Sequence, residues 1–209
     1  VETDIGSGPD LVYSMSKHAC EKICAGFVRN YGMDITMVRF FNVYGPHQDF
    51  RRKQPPLMGY IVKCLMNDEK PTFYSDGHQS RDYIYIDDLS RLIHTIIDSD
   101  KTAGQIINAC TGKAYSVREI YDMYQKEFEK QIVPSFDDST KFWDKYPSLF
   151  DGRYSLDKTR LIKEVNKHSL GSYQLAYDML GWQPEVSMEE GIANCVAYAN
   201  ILKEIDSEN

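Results

Sequence analysis

Tyr13 and Lys17 stand four positions apart at the start of an amphipathic segment. Residues i and i+4 lie on the same face of a helix, so the two side chains can reach one small molecule together. An ammonium group near a phenol lowers the pKa of that phenol from about 10. Such a tyrosine can accept a proton from an alcohol, which is half of an alcohol oxidation; hydride loss to a nicotinamide is the other half. The same spacing also occurs on ordinary helix surfaces, so the pair alone leaves both interpretations open.

The composition argues against several classes of function. The chain has 209 residues and a net charge of -7, which disfavours a broad nucleic-acid surface. No apolar run approaches the roughly 18 residues of a membrane span, and no secretory leader is visible. The five cysteines fit neither a zinc site nor a disulfide framework: Cys20, Cys24, Cys64, Cys110 and Cys195. We therefore predict a cytoplasmic protein with reduced thiols that binds no metal, membrane or nucleic acid.

Hydrophobic periodicity predicts alternating helices and strands. Apolar residues recur at helical spacing over residues 11–31, and Gly32 follows as a helix stop. The next segment, DITMVRFFNVYG, is almost continuously apolar, which is typical of a buried parallel strand. Ser116 and Glu119 form the pattern of a capping box. Further helices are expected at 57–68, 87–100, 116–130, 157–167, 172–180 and 187–204. Further strands are expected at 71–77, 81–86 and 104–112, and burial is expected to alternate along 81–86.

Five separated segments carry a family resemblance. In chain order they are YSMSK, RFFNVYGP, DGHQSRDYIYIDDL, NACTGKAYSVREI and LGWQPEVSMEEGI. The series resembles the extended short-chain dehydrogenase/reductase family, in particular its nucleotide-sugar epimerases and dehydratases of the UDP-galactose 4-epimerase type. The resemblance covers nearly all of residues 10–200 and is weakest across residues 131–172.

The resemblance implies a catalytic pair and a cofactor. Tyr13 would be the base that handles the sugar hydroxyl proton, and Lys17 would bind the nicotinamide ribose of NAD and tune Tyr13. Phe40 and Phe41 would lie at the strand end that meets the nicotinamide; simple core packing is the alternative for these two rings.

The resemblance also implies a site for a nucleotide-diphosphate sugar. Asn42 would contact the diphosphate, and Arg81 the diphosphate or ribose, since a guanidinium is a planar donor fork of permanent charge. The nucleoside base would be lined by Leu57, Thr72, Phe73 and Tyr74. An ion pair with Asp82 or Asp87 is the alternative for Arg81.

The family resemblance predicts an α/β fold that is incomplete. Family members begin with a strand and a glycine-rich turn that receives the cofactor pyrophosphate, and no such turn is present in these 209 residues. We therefore expect a C-terminal fragment that binds NAD weakly and is inactive alone. It would combine part of a Rossmann-type parallel sheet, at residues 1–46 and 84–112, with a helix-rich substrate-binding lobe at 47–83 and 113–209.

The implied parent enzyme is an NAD-dependent epimerase acting at C4 of a UDP-hexose or related sugar nucleotide. The alternatives are a 4,6-dehydratase or decarboxylase and, in another class, a non-catalytic module that binds a sugar nucleotide or a protein. The family also pairs two copies through the Tyr–Lys helix, which implies a homodimer with Cys24, Ala25 and Val28 near its interface.

Overall fold

The computed structural model describes residues 11–207. The elements in chain order are α1 Val12–Tyr31, β1 Met37–Phe40, β2 Asn42–Tyr44, α2 Leu57–Met66, β3 Thr72–Phe73, β4 Ser80–Tyr85, α3 Ile86–Ile97, β5 Ile106–Ala109, β6 Ala114–Ser116, α4 Val117–Glu127, β7 Ser135–Phe136, α5 Lys158–Val165, α6 Gln174–Leu180 and α7 Met188–Ser207. Two short 3₁₀ helices, Lys141–Lys145 and Pro147–Leu149, lie between β7 and α5.

The fold is α/β with parallel strand pairs, as the sequence predicts. β1 pairs in parallel with β5, with Met37 opposite Ile106 and Phe40 opposite Ala109. β3 pairs in parallel with β7, and a three-stranded sheet has the order β2-β4-β6.

The described chain forms two compact units. Unit 1 holds residues 11–43, 82–113 and 170–185; unit 2 holds 44–81, 114–169 and 186–207. The expected division places residues 170–185 in the helix-rich lobe, whereas α6 of this segment packs against β5 and the segment lies in unit 1. The division into a cofactor-binding half and a substrate-binding lobe stays a prediction.

The core of unit 1 explains this correction. Its fully buried side chains come from β4, α3 and β5, and the 170–185 segment adds Ala176 and Trp182 to them. The ring of Tyr173 meets that of Trp182 edge to face at 6.2 Å. Burial of apolar area against β5 therefore decides where α6 lies.

Helix α1 ends where the sequence predicts. Gly32 has φ 65° and its N–H bonds to the carbonyl of Val28 at 3.0 Å, a left-handed cap that glycine adopts without a steric penalty. No residue of α1 is buried.

The strand after α1 differs from the prediction. It is interrupted at Phe41, which separates β1 from β2, and every residue of β1 is at least partly exposed, whereas Tyr44 at the end of β2 is buried. The reverse correction applies to β4: burial was expected to alternate, but Asp82, Tyr83, Ile84 and Tyr85 are all buried. An apolar run does not specify what covers it, and β4 is covered on both faces.

Unit 2 is built around α4. The capping box is confirmed: the Ser116 hydroxyl accepts from Glu119 N, and the Glu119 carboxylate accepts from Ser116 N. α4 packs against α2 and α7 and buries Ile120, Tyr121 and Tyr124.

No helix within residues 11–207 is long and apolar enough to cross a membrane. The same residues contain no group of three or more His, Cys, Asp or Glu side chains that could hold a metal ion.

Candidate functional site

The Tyr13–Lys17 pair lies on the exposed surface of α1. Lys17 Nζ is 5.5 Å from the centre of the Tyr13 ring, and Tyr13 is 72% exposed. The two side chains are therefore brought together as their spacing predicts. Both are open to a ligand on the face of unit 1 that carries them.

An ion pair anchors α1 to the strand that follows it. The Arg39 guanidinium donates to both carboxylate oxygens of Glu21, at 2.6 and 2.8 Å. These charge-assisted bonds hold the pKa of Glu21 below its ordinary value. Arg39 stands on β1, so the bidentate pair sets how the Tyr–Lys helix lies on its own unit.

The three residues that follow Arg39 differ in their surroundings. Phe40 is 57% exposed, whereas the Phe41 ring packs so near Gly171 that a Cβ there would lie 2.8 Å from it. Asn42 Nδ2 donates to the carbonyl of Asp82 at 2.8 Å, which orients its amide. Phe40 is thus accessible to a ligand in unit 1, and Phe41 serves in packing.

A buried carboxyl group organises the same unit, in a role that the sequence did not predict. Asp82 is fully buried and accepts from Thr111 N, Thr111 Oγ1 and Gly112 N at 2.8–2.9 Å and from Gly171 N at 3.2 Å. A buried polar group is tolerated only when such hydrogen bonds satisfy it. Asp82 therefore joins three chain segments, and its position at the head of an apolar strand was the available signal.

Unit 2 contains a cavity of about 620 Å³, a size typical of small-molecule sites. The four residues predicted to line a nucleoside base all line it: Leu57, Thr72, Phe73 and Tyr74. The other lining residues are Lys53, Gln54, Pro55, Tyr60, Gln79, Val117, Ser139, Phe142, Trp143, Lys145 and Val165.

Aromatic side chains hold the cavity wall rigid. Phe73 is buried and meets Tyr60 and Tyr121 edge to face, with ring centres 6.2 and 5.4 Å apart. The Tyr60 hydroxyl accepts from Thr72 N at 2.9 Å, and burial raises the pKa of Tyr60. The β3 backbone is therefore fixed at the cavity.

A second part of the wall comes from the 3₁₀ helix Lys141–Lys145, which lies in the segment where the family resemblance is weakest. Phe142 meets Tyr74 edge to face at 5.3 Å, and Trp143 lines the same cavity. Lys145 Nζ lies 3.7 Å from the centre of the Phe142 ring, a cation–π contact. The cavity thus combines flat apolar walls with the ammonium groups of Lys53 and Lys145.

Arg81 lies outside the residues that line the cavity. Its guanidinium donates to the carbonyls of Ser80 and Glu164 at 3.0 Å and of Val165 at 3.4 Å. The last two carbonyls end α5, where the helix dipole favours a cation. Its role at a diphosphate stays a prediction.

Comparison with known proteins identifies relatives of the chain. The family model described as GDP-mannose 4,6 dehydratase matches residues 3–195. A putative UDP-glucose 4-epimerase from Methanocaldococcus jannaschii is 29% identical over 186 residues, covering 89% of this chain and 52% of that protein.

Solved structures agree with the fold. The UDP-glucose 4-epimerase of Thermotoga maritima, solved with UDP-glucose, has a TM-score of 0.75 and 25% identity over 91% of this chain and 54% of its own. The UDP-glucuronic acid 4-epimerase of Bacillus cereus, solved with UDP-glucuronic acid and NAD, has a TM-score of 0.70 and 23% identity, covering 97% and 58%.

The chain spans about half the length of the curated relatives it matches. The family model nevertheless matches almost all of it. The chain therefore belongs to the GDP-mannose 4,6 dehydratase family, which contains nucleotide-sugar epimerases and dehydratases of the extended short-chain dehydrogenase/reductase type.

Proposed function

We propose that this chain is the C-terminal part of an NAD-dependent epimerase that oxidises and re-reduces C4 of a UDP-hexose or related sugar nucleotide. The cavity of unit 2 carries the proposal. Four residues chosen from sequence for contact with a nucleoside base line one aromatic-walled space, and the ammonium groups of Lys53 and Lys145 suit an anionic ligand.

Unit 1 would supply the acid–base chemistry. Tyr13 would accept the proton of the sugar hydroxyl, and Lys17 would bind the nicotinamide ribose. Tyr13, Lys17 and Phe40 fit an NAD site because all three are exposed; Phe41 fits less well because its ring is packed. NAD, when bound, supplies the hydride acceptor. The chain alone should bind NAD weakly in calorimetry, since it contains no glycine-rich pyrophosphate turn.

Within unit 2 the substrate would be held by Arg81 and by the cavity residues Leu57, Thr72, Phe73 and Tyr74. The diphosphate contact of Asn42, which belongs to unit 1, stays a prediction. Arg81 would have to exchange its carbonyl partners on α5 for a phosphate oxygen.

The test uses the two tryptophans of the chain, of which Trp143 lines the cavity and Trp182 is buried in unit 1. UDP-glucose added to the chain should quench the fluorescence of Trp143, and Trp143→Phe should abolish the change. Tyr74→Ala should weaken binding about tenfold or more, because a stacking wall is lost. Tyr154→Ala removes an exposed tyrosine outside the cavity and is the control. Equal affinity of both tyrosine variants would refute the proposal.

We also expect a homodimer formed through α1. Cys24, Ala25 and Val28 are half-buried, while Ile23, Phe27 and Tyr31 are exposed, so the contact would centre on the latter three. Light scattering that shows only the 24.1 kDa monomer at high concentration would contradict this.

A dehydratase is the second candidate, favoured by the description of the family model. Mass spectrometry of the product of the complete enzyme separates the two, because a dehydratase product has lost water and an epimer has the substrate's mass. A non-catalytic module would bind the sugar nucleotide and release it unchanged.

A further inference from the structure

Gln79 lines the cavity with its amide held in one orientation. The hydroxyl of Ser75, which is buried, donates to Gln79 Oε1 at 2.7 Å. That hydroxyl in turn accepts from Gly77 N at 3.1 Å. Among residues 11–207 the structure gives Gln79 Nε2 no acceptor, so the end of the amide that remains for a ligand is a donor.

The loop that carries Gln79 is braced from α4. Arg118 N donates to the carbonyl of Gly77 at 3.2 Å, and Arg118 Nε donates to that of Asp76 at 2.7 Å. Gly77 has φ 81°, and a Cβ there would lie 2.6 Å from the ring of Phe136. The loop therefore has little freedom to move the Gln79 amide. A recognition group that is held in place in this way loses less entropy when a ligand binds.

The surroundings of Gln79 indicate which acceptor it meets. The aromatic walls of the cavity suit a flat ring, and a donor at the ring edge complements a keto oxygen. On a nucleobase this oxygen distinguishes uracil from cytosine and guanine from adenine, whose matching position carries an amino group.

Building on the proposed function, we propose that Gln79 determines base specificity: its Nε2 donates to an exocyclic keto oxygen of the nucleoside diphosphate and so selects a keto base over its amino counterpart. Ser75 is the positioning residue, because it occupies the amide oxygen.

The test compares ring-matched ligands on the 209-residue chain. Calorimetry would measure the dissociation constants of UDP and CDP as one pair, and of GDP and ADP as the other. In the pair whose ring fits the cavity, the nucleotide with the keto base (UDP or GDP) should bind about tenfold more tightly than its amino counterpart. Gln79→Glu keeps the side-chain shape but only accepts hydrogen bonds, so the preference should reverse. Gln54→Glu adds the same charge to the same cavity and should weaken both members equally, leaving their ratio unchanged.

Two further variants keep the proposal testable if Gln79→Glu does not fold, which circular dichroism would show. Gln79→Leu, without a donor, and Ser75→Ala, which releases the amide, should both bring the ratio close to one. Equal binding of keto and amino members by the wild type, or an unchanged ratio in the Gln79 variants, would overturn this inference alone. No binding of any of the four nucleotides would overturn the proposed function and this inference with it.

Discussion

Helices α1 of unit 1 and α4 of unit 2 both follow an amphipathic pattern, but only one of them is covered. α4 buries Val117, Ile120, Tyr121 and Tyr124 and begins with a complete capping box. α1 buries no residue and begins at Leu11 without a side-chain cap. Helical periodicity therefore predicts that a helix forms, whereas the burial of that helix depends on the segments that supply the opposing surface.

The two units also divide the proposed chemistry. The exposed helix α1 presents Tyr13 and Lys17, while the partly buried helix α4 braces the loop beside the cavity of unit 2 through Arg118. Variants placed in one unit or the other therefore test this division of roles.

The largest effect is expected on turnover. In the complete enzyme, Tyr13→Phe removes the proton acceptor but keeps the ring, so kcat should fall by about 10²–10⁴ while substrate affinity is retained. Tyr74→Ala in unit 2 should instead weaken substrate binding. Tyr31→Phe, at another exposed tyrosine of α1, is the matched control. Steady-state kinetics would contradict the division if Tyr13→Phe turned over normally.

The next effect is on stability. Ile120 of α4 is fully buried and Ile23 of α1 is 58% exposed. Ile120→Ala should cost about 2–5 kcal/mol of unfolding free energy, whereas Ile23→Ala should stay within about 0.5 kcal/mol at protein concentrations too low for the proposed dimer, which would bury Ile23. Urea unfolding of the two variants measures both, with Trp143 reporting on unit 2 and Trp182 on unit 1. A comparable loss for Ile23→Ala would show that α1 is covered in solution, for example by a second copy.

A smaller effect should depend on pH. The pKa of Glu21 is lowered by Arg39, so the pair contributes fully above the unfolded pKa of about 4.3 and is lost as pH falls through the lower folded pKa. Glu21→Gln should therefore cost about 1–2 kcal/mol at neutral pH, and the difference from wild type should shrink below about pH 4.

The control for this pair is Glu164→Gln, which breaks the exposed Lys167–Glu164 pair of unit 2 and should have almost no effect. Urea unfolding across a pH series provides the measurement. A difference between Glu21→Gln and wild type that persists unchanged at pH 3 would contradict the assignment.

The smallest effect concerns the helix starts. Ser116→Ala should cost about 1 kcal/mol, because Glu119 N loses its acceptor. Leu11→Asp should stabilise α1 by up to a similar amount, since it supplies the missing cap and an anion at the positive helix end. Thermal unfolding followed by circular dichroism compares the two, and a destabilising Leu11→Asp would show that Leu11 has a packing role.

Much of the local structure could be predicted from sequence. The helix ending at Gly32, the capping box at Ser116 and the helices later in the chain follow from periodicity and caps, which involve only neighbouring residues. The residues chosen for a nucleoside base were found by resemblance, and they line one cavity.

The missed features depend on distant residues. Phe142 and Trp143 reach the cavity from a segment with no periodic signal, and β7 pairs with β3 across more than 60 residues of chain. Propensity could not find a two-residue strand whose stability comes from its partner.

The α/β class, the helix ends, the family and the Tyr–Lys spacing could be read from the sequence, because each depends on residue types at short or fixed separations. Three features depend instead on the folded chain: the packing of α6 in unit 1, the buried link that Asp82 makes between three segments, and the hydrogen bond from Ser75 to the amide oxygen of Gln79. The first two of these features depend on segments that are far apart in the chain: their apolar surfaces pack against one another, and their buried polar groups form hydrogen bonds across the contact. The third lies in a loop that Arg118 braces from α4, which is also distant in the chain.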